Sequence, residues 1–315
     1  MNSSLIKILD LIFLTRPVIL IPVWGFCIFG MYSFKSQYLI EISSAQALLT
    51  LLFSLSVASV YVINQIADID VDRENEGFAL LVRGTISLNS AYGLCLILAS
   101  VSVITPLLIN QYELSALSAL SIILGYFYSC KPSRFSGRPF LDFFSNAFGY
   151  GIIAFAAGWH IAGGELLSRD LAASALPYFL LMCAGSISST LPDIPGDQEN
   201  GKITTAVYIG KKNAHLLALF FLLFAAAYSL NHHEYLPFFC ATISLPIYFL
   251  YLVFPVKTVM ELTYKAGGTI CMIAAAVAAP ALIGAALFVF FSTWLYFRKR
   301  HGIVYPSLVP VVIDE

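Results

Sequence analysis

Hydrophobic residues fill most of this chain in runs of about 20, separated by short polar segments. A run of that length, coiled as an α-helix, covers the roughly 30 Å hydrocarbon core of a bilayer. The pattern predicts nine spanning helices, near 11–32, 45–67, 86–108, 112–130, 139–162, 173–194, 213–231, 236–255 and 268–296. The connections around 68–85, 131–138, 195–212 and 256–267 are polar. The others are short and nearly uncharged. The expected fold class is all-α, a polytopic membrane helical bundle of about nine transmembrane helices. It is expected to form one domain over 1–315, without a soluble appendage, low-complexity tract or long linker. A membrane β-barrel is excluded, because it needs short alternating strands.

Composition strengthens this picture. The chain is 59% hydrophobic and only 11% charged, whereas soluble domains carry roughly 25% charged residues. The surrounding partner is therefore a lipid bilayer, and no nucleic acid is expected. Lys7, Asp10 and Arg16 interrupt the segment where a secretory leader would be apolar. The six cysteines are scattered singly, mostly within apolar runs, and read as packing residues.

The distribution of cations gives an orientation. With nine spans, one side carries Lys7, Arg16, Arg73, Arg83, Lys131, Arg134, Arg138, Lys202, Lys211, Lys212, Lys257 and Lys265. The other side's loops carry only Lys35 and Arg169. Short loops rich in Lys and Arg mark the cytoplasmic face. The expectation is a multi-pass protein of the cytoplasmic (inner) membrane with its N-terminus in the cytoplasm. An odd number of spans leaves Arg298, Lys299 and Arg300 on the far side. Trp159 and Trp294 fall at span ends, as interfacial anchors do, and Trp24 lies mid-span among core positions.

Against this apolar background two acidic segments stand out. Asn64, Asp68 and Asp72, at the end of the second span, are spaced i, i+4, i+8 and so share one helical stripe. An Asp at the centre of a membrane helix costs about 2.5–3.5 kcal/mol, so acids on one face call for a compensating partner. Oxygen donors on one stripe suit Mg²⁺, which takes one or two carboxylates and completes its shell with waters and phosphates. Asp70 projects away from the stripe. Asp193 and Asp197, at the end of the sixth span, form the second segment. Pro195 and Gly196 between them argue against a regular helix there. The topology puts both segments on one side of the membrane, where two metal sites would clamp a diphosphate. Lys202 and Arg134, on the same side, can meet phosphate oxygens. His232 and His233 lie in a loop on the opposite face and read as ordinary loop residues.

These segments resemble the UbiA superfamily of intramembrane prenyltransferases. Asn64-x-x-x-Asp68-x-x-x-Asp72 is similar to the family's first aspartate-rich motif. Asp193-x-x-x-Asp197, followed by Gly201-Lys202-x-Thr204-Thr205-Ala206-Val207-x-x-Gly210, is similar to its second. Tyr128-Ser129, then Arg134 and Arg138-Pro139, resembles the stretch that often closes the fourth helix. Gln65 stands where many members have Asp, Glu76 to Leu81 replace a Lys-Arg-Pro stretch, and Ser136 replaces a common Lys. The resemblance implies transfer of a prenyl group from an isoprenyl diphosphate donor to a lipophilic acceptor, with Mg²⁺ as cofactor. It implies Asp68, Asp72, Asp193 and Asp197 as catalytic residues and, with Asn64, as metal ligands. It implies Asn64, Tyr128, Ser129, Arg134 and Lys202 as diphosphate ligands. Phe127, Tyr128, Phe143 and Phe144 are candidates to line a dry pocket for the allylic cation. Two alternatives use the same residues differently. One is a lycopene-elongase-type carotenoid prenyltransferase. The other is a cation-coupled secondary transporter, whose site would sit near the midplane instead of at span ends.

Overall fold

The computed structural model describes residues 3–35, 39–69, 73 and 80–306. Thirteen α-helical elements and one short 3-10 helix (Phe135–Gly137) are found among them, taking one continuous helix built of three segments as a single element. The α-helical elements are α1 (Ser3–Leu14), α2 (Pro17–Lys35), α3 (Ser44–Ala67), α4 (Leu88–Leu108), α5 (Tyr112–Ser129) and α6, which joins Leu141–Ala147, Phe148–Ala154 and Phe155–Ile161. Then come α7 (Arg169–Thr190), α8 (Ile194–Glu199), α9 (Thr205–Ile209), α10 (Lys211–Asn231), α11 (Tyr235–Val253), α12 (Lys257–Ala278) and α13 (Ala281–His301). Seven of them, α2, α3, α4, α7, α10, α11 and α13, are long and apolar enough to cross a membrane. The protein is an all-helical multi-pass membrane protein.

The sequence pattern and the fold differ at the C-terminal end. The predicted span 268–296 is divided: α12 ends at Ala278, and α13 begins at Ala281 after Pro280. Proline has no N–H to give to a helical ladder, and its ring clashes with the preceding turn, so the chain breaks there. This adds one reversal and returns the C-terminal end to the side of α1. Arg300 on α13 lies 3.3 Å from Asp10 on α1. Tyr296 donates a 2.5 Å hydrogen bond to the same carboxylate, which is 2% exposed. The basic residues 298–300 therefore join the twelve cations of the motif-bearing side, not the far side.

Around this contact lies a small satellite core of Phe13, Leu14, Val62, Ile66, Leu80, Leu81, Ile86, Tyr296 and Phe297. It fastens α1 and the last helix to the end of α3. Removing the Asp10 carboxylate leaves the Tyr296 hydroxyl and Arg300 without their acceptor. Asp10→Ala is expected to cost about 1–3 kcal/mol, with Asp10→Asn costing less because an acceptor remains. Thermal unfolding in detergent micelles measures the difference.

In the main core, α2 and α6 cross with their backbones almost touching. A Cβ on Gly158 would lie 1.8 Å from the carbonyl oxygen of Cys27, and one on Gly30 would lie 2.0 Å from that of Phe155. Small residues are what permit such crossings within a bilayer. Trp24 bonds the Ser54 hydroxyl at 2.8 Å and so fits the core position expected of it. Trp159, near the end of its helix, is buried within the protein, with its ring against Phe34 and Phe155.

Candidate active site

The first acidic segment is built by the end of α3. Asp68 caps the helix, its N–H bonded to the Asn64 carbonyl at 3.0 Å. One turn apart, the Asn64 amide donates to Asp68 Oδ2 at 3.1 Å and to Ser129 Oγ at 3.3 Å. Ser129 reaches this point because α5 packs tightly on α3. A Cβ on Gly125 would lie only 2.3 Å from a Val60 methyl, so a larger residue would hold the helices apart. Arg134 closes the cluster, donating to Asp68 Oδ1 at 2.9 Å. Asp72, expected on the same stripe, lies outside the described residues.

Residues 130–140 form a strap between the two acidic segments. Arg134 adopts a left-handed backbone, φ 37°, a conformation costing a non-glycine residue on the order of 1–3 kcal/mol unless its surroundings hold it. Here the Arg134 N–H bonds the Cys130 carbonyl at 2.9 Å, and its guanidinium bonds Asp68. Three residues on, Gly137 packs against the Lys202 side chain. The Phe140 N–H then bonds Thr205 Oγ1 at 2.7 Å. At the start of α6, the buried Asp142 accepts from the Thr205 N–H at 2.8 Å and from the Thr205 hydroxyl.

The second acidic segment follows α7. The long helix stops at Thr190, but the expectation of no regular helix around Pro195 and Gly196 is corrected: both lie inside the six-residue α8, where a proline in the first turn forfeits no helical hydrogen bond. The Asp197 N–H bonds the Asp193 carbonyl at 2.8 Å, which places the two carboxylates one turn apart. The Thr204 hydroxyl donates to Asp197 Oδ2 at 3.2 Å, and the Lys202 N–H bonds the Asp197 carbonyl at 2.8 Å. Desolvation by the surrounding chain raises the pKa of both Asp193 and Asp197 above the usual carboxylate value, and Lys202 opposes the rise. The neighbouring carboxylates Asp193 and Asp142 push Asp197 up further. Charge of one sign is thus gathered with incomplete compensation, and a bound cation would relieve it.

Beside the first segment, a cavity of about 140 Å³ runs between α2, α3, α5 and α6. Its walls are mostly apolar (Val23, Val57, Val60, Leu124, Ala154), with Asn64 and Ser129 at the end nearest Asp68. Three tyrosines face it. Tyr61 and Tyr150 join hydroxyls at 2.6 Å, and Tyr128 takes a 3.2 Å bond from the Asn146 amide. The α6 wall is π-helical over Phe148–Ala154, a bulge that often marks functional positions. Of the four aromatics expected around an allylic cation, only Tyr128 lines this space. Phe127 and Phe144 are 41% and 48% exposed, and Phe143 is packed in the core against Phe221. All three follow the helix surface outward or into the opposite packing face, which the sequence position alone did not distinguish.

Ser129, Asn64, Asp68 and Arg134 are therefore joined in one line of hydrogen bonds, and Tyr128 adjoins them along the cavity wall. Asp193, Asp197 and Lys202 form a second group, and the strap ties the two together. Among the described residues, no three Asp, Glu, His or Cys side chains gather closely enough to hold a metal by themselves. The donors that are present, carboxylates and one amide oxygen, are all hard oxygen atoms, and this chemistry fits Mg²⁺. Sequence reasoning missed Asp142, Asn146, Tyr61 and Tyr150 as site neighbours. Thr204 and Thr205 were legible as part of the motif, but their partners were not. No spacing rule links Asp142 to Thr205, 63 residues away.

A model of the UbiA prenyltransferase family matches residues 20–259. The chain is 32% identical over 160 residues to 2-acylphloroglucinol 4-prenyltransferase, chloroplastic, of Humulus lupulus. That match covers 49% of this chain and 39% of the relative. It is 26% identical over 234 residues to digeranylgeranylglyceryl phosphate synthase of Saccharolobus solfataricus, covering 73% of this chain and 78% of the relative. The chain thus matches well under half the length of the plant protein. Among solved structures, a UbiA homologue from Archaeoglobus fulgidus bound to GPP and Mg²⁺ shares the fold. Its TM-score is 0.66 at 23% identity, over 87% of this chain and 99% of that one.

Proposed function

Because the chain belongs to the UbiA prenyltransferase family, we propose that it is a Mg²⁺-dependent intramembrane enzyme that moves a prenyl group from an isoprenyl diphosphate to a lipophilic acceptor. The observation that carries this reading is the strap. It links two acidic segments distant in sequence, the first of which lies beside an apolar cavity between membrane helices. A transporter site would sit near the bilayer midplane on broken helices, whereas these acids lie at helix ends.

In this reading Asn64, Asp68 and Asp72 would hold one Mg²⁺, and Asp193 and Asp197 would hold another. Bound metal supplies neutralisation of the charge that builds on the departing diphosphate. The chain's own groups do the rest. Arg134 and Lys202 bond phosphate oxygens, with Tyr128 and Ser129 alongside. The cavity takes the prenyl tail and keeps water away. The allylic C–O bond breaks with its electron pair going to the diphosphate. A new bond forms from acceptor to prenyl carbon, and the acceptor loses a proton. Tyr61, Tyr128 and Tyr150 line the cavity, and in this reading their rings would stabilise the positive charge that develops. In this reading the protein lies in the cytoplasmic membrane with its N-terminus and both acidic segments in the cytoplasm, a proposal supported by the Lys and Arg content of the loops on that side.

The test is diphosphate release by the protein in liposomes, offered a series of allylic diphosphates and lipophilic acceptors. Release should require Mg²⁺ and stop on chelation. Substrate flux without diphosphate release would reject the enzyme in favour of the transporter. Within this assay, Arg134→Gln removes a charge-assisted hydrogen bond of about 1.5–3 kcal/mol. It is expected to raise the KM for the donor by roughly 10- to 100-fold.

A further inference from the structure

We infer that Asp142 is a positioning residue that fixes the distance between the two acidic segments, and through it the gap into which a magnesium–diphosphate complex fits. The inference rests on the reading of those segments as the metal-diphosphate site. Asp142 is 3% exposed, deep in the protein, and among the described residues it forms no ion pair. Packing alone does not account for a carboxylate there, since an unpaired buried charge is costly. Its oxygens are instead both spent on one residue, Thr205, taking its N–H at 2.8 Å and its hydroxyl. The Thr205 hydroxyl in turn accepts the Phe140 N–H at 2.7 Å.

Thr205 is placed so that this grip is transmitted in two directions. Its neighbour Thr204, also buried, donates to Asp197 at 3.2 Å. Phe140 ends the strap whose other end, Arg134, bonds Asp68 at 2.9 Å. A continuous line of bonds therefore runs from Asp68 through Arg134 and the strap to Thr205, and from Thr204 to Asp197. Asp142 is its fixed point, because α6 is a core helix and the α8–α9 segment that it holds is short. A carboxylate is the side chain that suits this place. It offers two acceptors to two donors and carries a charge, whereas an amide offers one acceptor, no charge, and obliges the Thr205 hydroxyl to turn from donating to accepting. The anion also contributes to the negative field around Asp197, which strengthens cation capture there.

The test is calorimetric binding of Mg²⁺ together with inorganic pyrophosphate to the detergent-solubilised full chain, alongside its thermal unfolding. Asp142→Asn should weaken pyrophosphate binding in the presence of Mg²⁺ at least tenfold. Thr205→Val should weaken it several-fold, and Thr205→Ser should restore it. In the double variant the losses should not multiply, because both changes break the same contact. Should Asp142→Asn fail to fold, the Thr205 pair decides. Folded variants that bind within twofold of the unaltered protein would overturn the inference. Failure of the unaltered protein to bind pyrophosphate with Mg²⁺ would instead count against the metal-diphosphate reading itself.

Discussion

Asp193→Ala should reduce prenyl transfer by a factor of about 10²–10³ or more, and Asp68→Ala should do the same, while both proteins keep their fold. Losing one preorganised stabiliser of transition-state charge costs that much in other enzymes, and here each carboxylate would also be a metal ligand. A tenfold loss corresponds to about 1.4 kcal/mol in the barrier, so the expected effect is about 3–4 kcal/mol. Neither residue supports the core. Asp193 is exposed at a helix boundary, and Asp68 caps α3 with its backbone N–H, which any residue supplies. Asp193→Ala should therefore shift the unfolding midpoint little, Asp68→Ala should lower it modestly because Arg134 and Asn64 lose their shared acceptor, and Mg²⁺-dependent pyrophosphate binding should fall with activity in both. Glu199, exposed on the same short α8, is the control, and Glu199→Ala should retain activity within about twofold. If both aspartate variants transferred prenyl groups at the unaltered rate across a Mg²⁺ titration, the site assignment would fail.

What could be read from the chain before its structure follows from the solvent. In a bilayer, backbone polar groups must be satisfied internally, so a long apolar run has one outcome and the helices announce themselves. Asn64 and Asp68 were legible for a related reason: the i, i+4 repeat fixes one face, and the cost of polar groups in lipid makes that face conspicuous. Hydropathy misled at Pro280, where an apolar proline between alanines does not lower the average but breaks the helix. The error propagated into the side assigned to residues 298–300. Only the contact between Asp10 and Arg300, 290 positions apart, settles that side. Asp142, Tyr61 and Tyr150 escaped for the complementary reason. Their role comes from partners brought together by packing, and a lone Asp in a first helical turn, or a Tyr in an apolar run, carries no spacing signal. The aromatic candidates around Phe143 and Phe144 failed likewise. Adjacent helical residues point about 100° apart, and the π-helical bulge that follows shifts the phase of the α6 surface.

The same close packing that hides from sequence gives the second large effect. Gly158→Val should leave no stable monodisperse protein in detergent, and Gly158→Ala should lower the unfolding midpoint by roughly 2–12 °C. A Cβ at this position would overlap the Cys27 carbonyl, with that oxygen at 1.8 Å and its carbon at 2.5 Å. The obstacle is helix backbone, not the flexible end of a side chain, so relief requires α2 and α6 to separate. Overpacking of this kind commonly costs about 1–3 kcal/mol and more when backbone must move. For a domain of about 150–250 residues each kcal/mol corresponds to about 2–4 °C. Gly30, whose Cβ would meet the Phe155 carbonyl at 2.0 Å, sits on the other side of the same crossing. Gly30→Ala should behave alike, and the two changes together should be less than additive once the helices have parted. Gly284 provides the opposite sign. It is exposed on α13 with nothing within 4 Å of its Cβ position, so Gly284→Ala should stabilise by up to about 1 kcal/mol through helix propensity. The crossing also sets the back wall of the cavity, since Val23 lies on α2 and Tyr150 and Ala154 lie on α6. Gly158→Ala protein that survives at low temperature should therefore discriminate less among prenyl chain lengths, a change readable from product distributions with mixed allylic diphosphates. Unaltered midpoints for both alanine variants would mean that the two helices do not meet at this distance.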